Sequence, residues 1–208
     1  METKRTEESD VGIIILAAGS SSRLGQPKQL LKLGNESLLR KISKNALDSA
    51  AGNVVVVLGS NAEKIKSELK GLNLHIVFNK SWEQGMSTSI NIGLEKQLED
   101  LPATLSGVLF LVCDQPFVSS ALINNLLSAY LKTKKGIIGS KYQSGTIGVP
   151  VLFSSEYFPN LLDLKGNEGA RKIIKSNTAD VSEIPFLKGD LDIDTISDWE
   201  SFQHNHQF

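Results

Sequence analysis

The sequence predicts an α/β fold in three layers, a mostly parallel sheet with helices on both faces. Two observations carry that expectation. Apolar, β-branched runs such as Val54 to Leu58 have no polar face, as strands covered on both sides require. These runs alternate along the chain with segments whose apolar residues recur at helical spacing.

Taken in order, Met1 to Asp10 is polar and mixed in charge and reads as a loose tail. Val11 to Ala17 is a buried strand. Ser37 to Ala51 places Leu38, Leu39, Ile42, Ala46 and Ala50 on one helical face. Asn53 to Gly59 is a second buried strand, Ala62 to Lys70 a short helix, Leu74 to Phe78 a third strand, and Met86 to Gln97 a helix. Gly107 to Val112 is a fourth strand running into Asp114. Ser119 suits the N-cap of a helix from Ala121 to Leu131. Gly136 to Gly139 and Val149 to Phe153 are short strands, Asn167 to Lys175 a helix, and Val181 to Ile184 an edge strand. Asp194 or Thr195 caps a last helix. With no linker or repeat between these elements, one domain is expected over 11–203, with tails at 1–10 and 204–208.

The 208 residues, 40% hydrophobic and 22% charged, suit one such domain. A net charge of -1 gives no basic bias towards nucleic acid, so an anionic ligand must be met by local cations. Cys113 is the only cysteine, which fits a reducing compartment. No run approaches the ~18 apolar residues of a membrane span. The expected location is the cytoplasm.

In parallel sheets, ligands bind beyond the carboxyl ends of the strands. The loops after Ala17, Leu58, Phe78 and Val112 are therefore the ones to read. The first runs "LAAGSSSRLGQPKQLL" from Leu16. Gly19, Ser20, Ser21 and Ser22 expose backbone N–H groups that suit a phosphate chain, and Arg23 and Lys28 add cations. It matches neither G-x-G-x-x-G nor the P-loop. A plain strand–helix connection with surface cations is the competing reading. In "CDQP", Asp114 offers a hard carboxylate oxygen suited to Mg²⁺, or simply a turn residue. In "LDIDT", Asp192 and Asp194 share a face if extended, and either completes a metal site with Asp114 unless Asp194 only caps a helix. In "NKSWEQGMSTSI", Asn79 can read a base edge, Gly85 permits close approach, and Ser87 and Ser89 add hydroxyls. Trp82 reads chiefly as packing and Cys113 as a small buried hydrophobe. His75 reads as an ordinary strand residue, and His204 and His206 as part of a frayed terminus.

These stretches, with "VLFLVCDQPFV", "VPVLF", "GNEGAR" and "LDIDTISDW", occur in an order that resembles the molybdenum cofactor cytidylyltransferase branch of the MobA-like nucleotidyltransferases. The resemblance runs from about Val11 to Trp199. The opening loop is shared widely among nucleotidyltransferases, whereas Trp82-x-x-Gly85-Met86-x-x-Ser89 and Asp192-Ile193-Asp194-Thr195 are more specific to the branch. The resemblance implies the Rossmann-like, GT-A-like fold of nucleotide-diphospho-sugar transferases. It also implies transfer of CMP from CTP to the phosphate of molybdopterin, with Mg²⁺ and release of pyrophosphate. Ala18, where guanylyl-transferring relatives usually carry Gly, leans towards CTP over GTP.

By resemblance, Ala17, Ala18 and Gly19 line the nucleotide through backbone groups, with Leu16, Ser20, Gly59 and Ser87 in the same candidate set. Arg23 and Lys28 hold the triphosphate and, with Asp114, form the catalytic set. Asn79, Gly85 and Ser89 sit near base and ribose. Asp114 and Asp194 hold the metal. A molybdoenzyme or maturation chaperone is the implied recipient of product. Two positions depart from the branch: Val149 stands where it usually has His, and Asn167 where it often has Asp. Both fall on the acceptor side, so another phosphorylated acceptor, such as a sugar or alcohol phosphate, stays open. A guanylyltransferase and a non-catalytic nucleotide sensor or cofactor carrier stay open too.

Overall fold

Val11–Ala17 forms strand β1, and its neighbours follow from where its side chains point. Ile13, Ile15 and Ala17 enter one buried apolar cluster, while Ile14 enters another on the opposite face. Alternation in a strand with two buried faces requires this. A computed structural model describes residues 10–101, 105–191, 193 and 195–205.

After β1 comes a small antiparallel hairpin, β2 (Lys32–Leu33) and β3 (Glu36–Ser37). Helix α1 (Leu38–Leu47), strand β4 (Val54–Leu58), helix α2 (Ala62–Lys66) and strand β5 (His75–Phe78) follow. Then come α3 (Met86–Asp100), β6 (Gly107–Val112), α4 (Ser120–Thr133), β7 (Ile137–Lys141) and β8 (Ile147–Ser154). The chain closes with α5 (Phe158–Leu162), α6 (Arg171–Ser176), β9 (Val181–Pro185) and α7 (Ile196–Asn205).

The main sheet has seven strands in the order β5-β4-β1-β6-β8-β7-β9. Only β8 pairs antiparallel with its neighbours β6 and β7; the other pairings are parallel. Residues of α1, α2 and α4 cover one face, and residues of α3, α5 and α6 cover the other. The predicted three-layer α/β fold is therefore the observed one. A third cluster sits apart, where Leu24, Leu31, Leu33 and Leu38 meet Ile193, Trp199 and Phe202.

Several boundaries differ from the expectation for local reasons. Helix α1 stops at Leu47, because the Ser49 hydroxyl donates to the Ala46 carbonyl at 2.6 Å and competes with helix continuation. The stretch expected as one helix over 62–70 passes into a 3-10 turn at Ser67–Leu69. The helix expected from Asn167 starts only at Arg171, behind Gly166 with φ of 56°. Helix α7 continues through His204 to Asn205, into the stretch expected as a tail. Thr195 caps it: the Asp198 N–H donates to Thr195 Oγ1 at 3.2 Å, and the Asp198 carboxylate accepts from the Thr195 N–H at 2.8 Å. The predicted cap Ser119 does accept from the Leu122 N–H. Among the described residues, no helix is long and apolar enough to cross a membrane.

Candidate active site

The strand order sets the place of the site. From β1 the chain moves out through β4 to β5, then returns to β6 on the other side of β1. The crevice beyond the carboxyl ends of β1 and β6 is thus a topological switch point, where such sheets receive ligands. A cleft of about 370 Å³ opens there.

The first wall is the loop after β1. Ser21 takes φ of 54°, and its Oγ accepts from the Lys28 N–H at 3.0 Å, which folds the loop back on itself. Leu24 is buried in the third cluster and pins the loop from outside. Lys28 can then reach across the cleft, and its Nζ lies 2.5 Å from Asp114 Oδ2, each side chain 18% exposed. Gln29 is buried, and its Nε2 donates to the Ala17 carbonyl at 2.9 Å and the Gly19 carbonyl at 3.0 Å.

The second wall is the end of β6. Asp114 follows buried Cys113, whose thiol is pushed up to about 12 by burial, with the Asp114 charge adding to the effect. Gln115 Nε2 donates to Tyr142 Oη at 3.0 Å and to the Gly189 carbonyl at 3.1 Å. Both neighbours of Asp114 are therefore held, which fixes where its carboxylate stands.

The third wall comes from the loop between β5 and α3. The Asn79 amide donates to Thr88 Oγ1 and Ser89 Oγ, and its Oδ1 accepts from the Ser81 N–H. Gly85 has φ of 116°, and a Cβ there would lie 2.2 Å from the Gly166 carbonyl oxygen. The Ser87 N–H donates to that same oxygen at 3.1 Å. The loop therefore clasps the Gly166–Asn167 segment, which lies far along the chain.

Of the predicted residues, Leu16 through Ser20 and Lys28 line the cleft from the first loop, and Gly85, Ser89 and Asp114 line it from the other walls. Asn79 and Ser87 are buried beneath the third wall rather than on its surface. Gly59 also lies behind the lining: a Cβ there would sit 2.8 Å from both Ala18 Cβ and Trp82 Cβ, so its bareness lets those residues close together. Arg23 stands exposed on the first loop, outside the lining. Asp192 and Asp194 lie outside the described residues.

The cleft also gathers residues not predicted for the nucleotide: Gln29, Trp82, Glu83, Met86 and Asn167. Trp82 both packs and lines, so the packing reading covers only part of its place. Gln29 carried one faint signal, a polar residue set between Lys28 and the apolar pair Leu30-Leu31.

Among the described residues, no cluster of three or more His, Cys, Asp or Glu gathers. Two hard carboxylates line the cleft, Asp114 and Glu83, and Asp114 has a cation beside it. That suits Mg²⁺, which binds through one or two carboxylates and completes its shell with water and substrate phosphates.

Comparison with known proteins fits this geometry. The model of the MobA-like NTP transferase domain matches residues 13–181. The chain is 32% identical to the purine catabolism protein PucB of Bacillus subtilis over 198 residues, 91% of this chain and 92% of that one. A solved structure from Mycobacterium sp. strain JC1, a homologue of Rv0371c, superposes with a TM-score of 0.80 at 29% identity over 95% of this chain and 97% of that one. The manganese complex of Rv0371c from Mycobacterium tuberculosis gives 0.78 at 23% identity over 94% and 99%. With a switch-point cleft that holds a loop lysine against a strand-end aspartate, this chain belongs to the MobA-like NTP transferase family of nucleotidyltransferases.

Proposed function

We propose that the chain transfers the CMP group of CTP to the phosphate of molybdopterin and releases pyrophosphate. The observation that carries this reading is the Lys28–Asp114 pair at the switch point, a cation for phosphate beside a carboxylate for metal. The choice of CTP is supported by Ala18, a lining residue at the position where guanylyl-transferring relatives usually carry Gly. The choice of acceptor is supported by the branch-specific runs around Trp82 and Asp194.

In this mechanism an ionised acceptor phosphate oxygen attacks the α-phosphorus of CTP in line. The new P–O bond forms as the bond from the α-phosphorus to the α,β-bridging oxygen breaks, and the electron pair leaves with pyrophosphate. No general base is needed, because the attacking oxygen carries no proton. The chain contributes positioning and charge stabilisation. The backbone of Ala17 to Ser20 seats the nucleotide, Lys28 neutralises the leaving pyrophosphate from within the cleft, and Arg23 adds charge from the exposed part of the same loop. Asn79 acts through Ser89, which it orients towards the base and ribose. Asp114, with Asp194 as partner, would hold Mg²⁺, which when bound would supply positive charge to the phosphates; the manganese complex of the mycobacterial neighbour supports a divalent ion in this role.

The test is a panel of CTP, GTP, ATP and UTP against molybdopterin, a sugar phosphate and an alcohol phosphate, scored for pyrophosphate. Fastest release with CTP and molybdopterin is expected. Preference for GTP would make the chain a guanylyltransferase, and preference for another acceptor would reassign the substrate. Nucleotide binding without release from any pair would make it a sensor or a carrier that hands cofactor to a molybdoenzyme or maturation chaperone.

A further inference from the structure

We infer that Gln29 is a positioning residue for the phosphate chain: by holding two loop carbonyls it fixes the backbone N–H groups that meet the nucleotide. This rests on the reading of the first loop as the triphosphate cradle.

The geometry is specific. Gln29 is 1% exposed, and its single Nε2 spans the carbonyls of Ala17 and Gly19 at 2.9 and 3.0 Å. The orientation of the amide is chemically forced. Rotating it would set Oε1 against two carbonyl oxygens and lose both bonds. The carbonyl between them, on Ala18, accepts from the Ser60 N–H at 3.0 Å. Three consecutive carbonyls are thus occupied by donors of the protein, and one side chain holds two of them.

A trans peptide is planar, with its N–H opposite its C=O. Fixing the Ala17 carbonyl therefore fixes the Ala18 N–H, and fixing the Gly19 carbonyl fixes the Ser20 N–H. Ala18 and Ser20 both line the cleft. Oriented N–H groups in series make an anion-binding concavity, and a carbonyl rotating into it would repel phosphate. Lys28 and Gln29 divide the work: one side chain brings charge into the cleft, and the next sets the backbone dipoles.

Two measurements test this. In the wild-type protein, inorganic tripolyphosphate should shift the backbone amide NMR signals of Ala18 and Ser20; if both stay in place while it binds, or if it does not bind, the inference is overturned. In Gln29→Met, which keeps length and loses the donor, affinity for CTP should fall about tenfold, with smaller losses for CDP and the smallest for CMP. An equal loss for all three, or none, would mean that Gln29 only supports the fold. If the variant does not fold, the wild-type titration decides. Neither measurement needs turnover: amide shifts in a protein that never releases pyrophosphate would sink the transfer reading and leave this one standing.

Discussion

Lys28 and Asp114 lie 86 positions apart in sequence yet form one group at 2.5 Å. A lysine seated on the carboxylate that a metal would use makes the two cations competitors until a phosphate draws the lysine away. Lys28→Ala and Asp114→Ala should each lower turnover on the order of a thousandfold, the loss that follows removal of one stabiliser of transition-state charge. Calorimetry separates their roles. Without nucleotide, Lys28→Ala should bind Mn²⁺ more tightly than wild type and CTP more weakly, whereas Asp114→Ala should lose Mn²⁺ first. Weaker Mn²⁺ binding in Lys28→Ala would refute the competition. The residue types of this pair were legible in sequence because each closes an apolar strand or its loop. Gln29 was legible only as a polar residue ahead of an apolar pair, because its work is done through two backbone oxygens. Backbone acceptors have no sequence signature.

Elements are joined by contacts that their local patterns do not announce. "WEQG" read as a loop and "GNEG" as the start of a helix, but nothing in either says that Gly85 rests on Gly166. Gly85→Ala adds a Cβ at 2.2 Å from a backbone oxygen, at a φ of 116° that side chains rarely adopt. A cost of about 1–3 kcal/mol is expected for such backbone strain, read as a lower urea midpoint. Asn167 should move with the segment, so KM for the acceptor should rise more than KM for the nucleotide. Equal changes would place Gly85 outside acceptor binding. The C-terminal turn of α3 shows a second such junction. Burial pushes the Asp100 carboxyl up, but hydrogen bonds from Lys96 and Asn53 and the charge of His75 outweigh it and hold it below its ordinary range. His75, read from sequence as an ordinary strand residue, thus pairs β5 with α3 at 3.1 Å. A carboxyl held low stabilises the fold while ionised. That benefit is complete above the ordinary value near ~3.9 and is lost as pH falls through the lower folded value. The melting temperature of Asp100→Asn should therefore sit below wild type at pH 7, and the gap should close as pH falls below about 4. A gap that stays constant with pH would assign the loss to packing.

At the scale of the molecule, the layers were legible because a two-faced buried sheet writes short, continuous, β-branched apolar strands, and Val54–Leu58 is such a run, buried throughout. Strand order and the reversal of β8 were not, because side-chain alternation is the same whichever way a strand runs. The third cluster was the least legible part. Trp199 and Phe202 follow helical spacing, but no local feature says that they close over Leu24 of the first loop. The end of the chain thereby braces the site at its beginning. Phe202 is 6% exposed, with its ring 5.5 Å from Phe117 and stacked 5.7 Å from Trp199. Phe202→Ala should cost about 3–5 kcal/mol, the range for truncating a buried aromatic. The more telling readout is local. If α7 braces the loop, amide hydrogen exchange across residues 20–28 should quicken in the variant well before the central strands respond, and affinity for CTP should weaken while the far edge at β5 stays protected. Uniformly faster exchange across the sheet would show instead that α7 supports the whole core equally.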